Sequence, residues 1–103
     1  MTTSEDQEHR DKNLTVIRSY LNETFPGCDL EDKPDKPVGH WFTVTDLVCH
    51  KRFRLWVDRA RLEDANYGPD LTKAALYSMD IAYEMTTSGA GGYQWHPDNY
   101  NPD

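Results

Sequence analysis

The first twelve residues are nearly all polar, and a regular apolar rhythm begins at Leu14. Leu14, Ile17, Leu21 and Phe25 recur at steps of three and four, which at ~100° per residue confines them to an arc of about 80°. This predicts a helix near residues 10–25 that packs from Leu14 onward. Ser4 and Gln7 fit a capping box, so its first turns extend into the polar segment, solvated or frayed. Phe25-Pro26-Gly27 ends it. The rhythm then changes to two. Cys28-Asp29-Leu30-Glu31 reads as a short strand with one wet face, and Asp32-Lys33-Pro34-Asp35-Lys36-Pro37 as a loop or a blunted strand end.

From Gly39 the strand signal is strongest. Trp41-Phe42-Thr43-Val44-Thr45 is aromatic and β-branched, and Phe53, Leu55 and Val57 alternate with Arg52, Arg54 and Trp56. The two runs predict an antiparallel hairpin across 40–57, turning near Asp46 to His50. Phe42, Val44, Phe53, Leu55 and Val57 share the core face. Trp41, Thr43, Thr45, Arg52, Arg54 and Trp56 share the other. Either Trp56 or Arg54 can lie opposite Trp41, and both registers leave the same outer residues.

Asp58 to Asn66 predicts a short helix or a turn, broken by Tyr67-Gly68-Pro69. Asp70 then caps a helix that runs to about Thr87. On one continuous wheel Leu71, Ala74, Ala75, Ser78, Met79, Ile81, Ala82 and Met85 share a broad face, with Leu76 and Tyr83 in a side stripe. Gly89, Gly91 and Gly92 form a joint before the aromatic tail YQWHPDNYNPD. Tyr93 and Trp95 are expected to dock and the last residues to fray.

These elements amount to a single α+β domain over 13–88. A small three-stranded antiparallel sheet carries two main helices on one face, in α-β-β-β-α-α order. A polar segment, 1–12, precedes it, and a Gly-hinged tail, 89–103, follows. In order alone this resembles double-stranded-RNA-binding domains. The basic helix start that such domains need is replaced here by Asp70-Leu71-Thr72.

The length of 103 residues suits one domain. No run approaches the ~18–20 apolar residues of a membrane span, and no signal sequence is expected. A cytoplasmic location follows, in which Cys28 and Cys49 are free thiols. Charge is uneven. Residues 51–61 hold five bases and one acid, a net of +4, and the other 92 residues hold six bases and 17 acids, a net of -11. An acidic body of this kind repels duplex phosphates over most of its surface, while allowing one local anion-facing patch.

No Walker loop, GxGxxG, HExxH or GxSxG sequence occurs. His9, His40, His50 and His96 are read as surface residues that do not converge as metal ligands. No cofactor, metal or catalysis is expected. The informative feature is the outer hairpin face, where Trp41, Thr43, Arg52, Arg54 and Trp56 place flat π-surfaces beside planar cations. The tail can cover this face, with Arg stacked on Trp. A protein partner or a second copy of the chain can dock on it. Single-stranded nucleic acid can stack on it. The acidic body favours protein, so the chain reads as a small acidic regulatory or inhibitory module acting by surface contact.

Overall fold

The computed structural model describes residues 2–35, 38–64, 66–89 and 91–96. Helix α1 spans Thr2–Thr24. Strands β1 (Cys28–Asp35), β2 (Gly39–Asp46) and β3 (Arg52–Asp58) form an antiparallel meander. Three helices follow, α2 (Arg59–Glu63), α3 (Pro69–Ser78) and α4 (Ile81–Thr87). The fold class is α+β in the expected order, but the sheet has four strands rather than three. A short β4 (Tyr93–Trp95) pairs in parallel with β3, giving the order β1-β2-β3-β4.

One face of the sheet is buried under the helices. Phe42, Val44, Leu55 and Val57 meet Leu14, Ile17 and Leu21 of α1, Leu62 of α2, Leu76 of α3 and Ile81 and Met85 of α4 in one cluster. The alternation along β2 and β3 dictates this, because residues two apart share a face. Phe53 lies on the same side but at the rim, half-buried and stacked on Phe25 with ring centroids 5.6 Å apart.

Four local expectations are corrected or narrowed. Of the two readings of residues 32–35, the strand end holds and the loop does not: they continue β1, and Pro34 is tolerated because β1 is an edge strand. Lys36 and Pro37 lie outside the described residues. Packing of α1 reaches back to His9, before the apolar rhythm. His9 Nε2 donates to the carbonyls of Asp64 and Tyr67 at 2.8 and 3.1 Å, and Arg10 pairs with Glu63 at 3.2 Å. Polar contacts, invisible to periodicity, hold this half of the helix.

The long helix expected over 70–87 is broken at Asp80, which adopts the left-handed conformation (φ 51°, ψ 56°) that Asp tolerates better than most residues. The break is capped from outside: the Ala82 amide donates to the Tyr20 hydroxyl at 2.9 Å. It resets the helical phase. Leu76, expected in a side stripe, is fully buried, while Leu71, Ala74 and Ser78, expected inside, are exposed.

The tail does dock, chiefly on the helix side of the sheet, although His96 packs against Trp56 of the outer face. Tyr93 and Trp95 lie opposite Leu55 and Val57, so their side chains enter the helix side of the sheet, and Trp95 is 1% exposed. Gly92 permits the approach. It has φ 80° and passes so near Arg54 that a Cβ would sit 2.7 Å from the Arg54 carbonyl oxygen.

Candidate functional site

The outer face is built from cross-strand rows. The register places Trp41 opposite Trp56, Thr43 opposite Arg54 and Thr45 opposite Arg52. On the other side of β2, Lys33 lies beside Trp41, Glu31 beside Thr43 and Asp29 beside Thr45. Two of the rows therefore run acid, threonine, arginine from β1 to β3. The Arg54 guanidinium carbon stands 4.0 Å from the centroid of the Trp41 ring, a cation–π stack along a diagonal of the sheet.

The two tryptophans have different environments. The Trp56 indole NH donates to Asp35 at 3.1 Å, and its ring lies over Gly39, where a Cβ would come within 2.6 Å of it. The His96 ring packs 5.0 Å from it, and His96 Nδ1 is 2.9 Å from Asp58. Trp56 is thus held by its own chain. Trp41, Thr43, Arg52 and Arg54 instead line a broad open groove of about 910 Å³ with Asp29, Glu31 and Lys33. Of the five expected site residues, four share this groove and Trp56 flanks it. Asp29, Glu31 and Lys33 stand outside the expected set of site residues, although the wet face of β1 was legible, because the register of β1 on β2 was not.

The basic stretch does not form one patch. Arg52 and Arg54 face the groove, whereas Arg59 pairs with Glu63 at 2.8 Å and Arg61 is buried. The histidines are not simply surface residues either. His40 is 6% exposed, with Nε2 2.8 Å from Asp32. Asp32 also takes a two-pronged contact from Arg18, at 2.9 and 2.8 Å, which ties α1 to β1. Among the described residues no three His, Cys, Asp or Glu side chains group as a metal would require. No helix of the described residues is long and apolar enough to cross a membrane.

The Arg18 guanidinium holds the Asp32 carboxyl below the usual carboxylate range, helped by His40 and opposed by burial. A carboxyl depressed on folding stabilises the fold fully above its unfolded pKa, about 3.9. That stability is lost as pH falls through the folded value. Asp32→Asn should therefore destabilise the protein by about 1 kcal/mol at pH 7, since Arg18 is partly exposed and screened. The difference from wild type should shrink below pH 4. Urea melts from pH 7 to pH 2.5 measure it, and a difference that is constant with pH would contradict it.

Compared with protein-family models, with curated proteins and with solved structures, the chain matches none of them.

Proposed function

We propose that this chain is a small acidic interaction module of the cytoplasm that acts through the outer face of its sheet on a protein surface, without chemistry of its own. The observation that carries this is the Trp41–Arg54 stack, open on a rigid sheet between an acidic strand and a basic one. Trp and Arg dominate interface hot spots, and a sheet presents them with little conformational cost. The tail, the intramolecular alternative, spends its tryptophan on the other face.

A second copy of the chain is the partner whose charges fit. Rotation about an axis parallel to the strands sets Asp29 and Glu31 of each copy against Arg52 and Arg54 of the other, a self-complementary arrangement. Three strands over six residues give a footprint of about 14 by 20 Å. That area belongs to weak, transient contacts. Acids beside the stack also work against a phosphate backbone.

Sedimentation velocity across a wide concentration range tests the reading. Wild type should show a concentration-dependent sedimentation coefficient that falls back as salt rises. Trp41→Ala with Arg54→Ala should remain monomeric and keep its melting temperature within a few degrees. A wild type that stays monomeric at millimolar concentration overturns the second copy as partner. Salt-sensitive binding of oligothymidylate, lost in the double variant, would transfer the face to single-stranded nucleic acid.

A further inference from the structure

Arg61 of α2 is 3% exposed, and its guanidinium is sandwiched between two rings, 4.1 Å from the Tyr67 centroid and 4.5 Å from that of Trp95. One nitrogen, Nη1, donates to Thr72 Oγ1 at 3.2 Å. The other, Nη2, is buried and has no hydrogen-bond partner among the described residues. No carboxylate among them forms a salt bridge with Arg61, although Asp64 lies near enough to be felt. Arginine stays charged even so. A buried cation with an idle donor carries a desolvation cost that packing alone does not return.

Beside this guanidinium opens a cavity of about 260 Å³, walled by Leu71, Ala75 and Met79 as well as Tyr67 and Trp95. Leu71 stands at its mouth, 56% exposed. The broken phase of α3 accounts for this wall, since it turns Leu71 and Ala74 away from the core. The site thus joins one buried, underused cation to apolar walls, on the helix side of the sheet and away from the outer groove.

We propose that this cavity binds a small monocarboxylic acid with an apolar body. The guanidinium fork matches the two oxygens of a carboxylate, and one positive charge answers one negative charge. A phosphate dianion would leave most of its acceptors against Leu, Ala and Met. The volume equals that of about nine waters at ~30 Å³ each, which fits an acid of roughly ten non-hydrogen atoms. Nη2 has no free surface, so binding requires side chains around it to shift before its donors reach the carboxylate, without displacing the Tyr67 segment. Its backbone stays in place, because Asn13 and His9 both donate to the Tyr67 carbonyl. A free acid is preferred over a peptide terminus, because the sheet margin beside Trp95 is only three residues long and gives a following backbone little to pair with.

Isothermal titration of the full chain with octanoate, and with octanamide as an uncharged match, tests the site. Octanoate should bind about ten- to a hundredfold more tightly than octanamide. Arg61→Met should erase that preference while leaving the melting temperature unchanged or higher. Equal binding of the two probes to wild type, or no binding at millimolar octanoate, overturns the proposal whether or not the variant folds. A peptide ending in leucine that binds more tightly than octanoate, and loses binding on amidation, overturns the assignment to a free acid.

Discussion

Trp95→Ala should destabilise the protein by about 3–5 kcal/mol, the range for removing a fully buried large aromatic. A domain of this size holds roughly 5–15 kcal/mol in all, so the variant is expected to be partly unfolded at 37 °C. Three structural roles converge on this side chain. It fills the core against Val57, it anchors the three-residue β4, and it covers one face of the Arg61 guanidinium. Trp95→Phe should recover most of the loss, because it restores an aromatic of smaller volume. Urea denaturation of both variants measures the effect. A loss below ~1 kcal/mol for the alanine variant would mean that the tail is not part of the core. Shortening the chain at Gly89 should be as damaging, so such a cut reports chiefly on the core.

Asn13→Leu should be nearly as costly, about 3–5 kcal/mol, for a different reason. Asn13 is fully buried in α1 and donates to the carbonyls of Leu62 and Tyr67 at 2.8 and 2.9 Å. It accepts from Thr72 at 2.8 Å, and Thr72 in turn receives Arg61. One amide thereby fastens α1 to α2, to α3 and to the loop between them. Leucine has similar bulk but strands the Leu62 carbonyl and the Thr72 hydroxyl hydrogen, each costing ~1–3 kcal/mol when left dry, while His9 still serves the Tyr67 carbonyl. Pairing it with Thr72→Val removes the stranded hydroxyl and should recover part of the loss. Thermal melts of both single variants and the double variant decide it; simple additivity would mean that the two side chains are not coupled.

The parts legible in the sequence are those written in local periodicity. Alternation along 41–45 and 52–57 separated Trp41, Thr43, Arg52, Arg54 and Trp56 from the core face, and one antiparallel pairing makes that separation independent of register. What was not legible depends on distant partners. Asp80 breaks a helix because Tyr20, sixty residues earlier, supplies a cap. Residues 93–95 become a strand through pairing with β3, since three residues hold no period of their own. Trp41 and Trp56 look equivalent until Asp35 and Gly39 fix one of them. Arg61 looked like one more surface base, because nothing adjacent reveals that Tyr67 and Trp95 close around it.

The two margins of the sheet bear on the proposed self-association. One margin is β1, which carries Pro34 and alternating exposed charges; the other is β4, only three residues long. Proline donates no amide hydrogen, charged margins repel a neighbouring ribbon, and three residues are a poor template. Neither margin can extend the sheet into a growing fibril. In the proposed two-fold pair the outer face is taken by the partner copy, so assembly should stop at a pair and concentrated solutions should stay clear rather than gel.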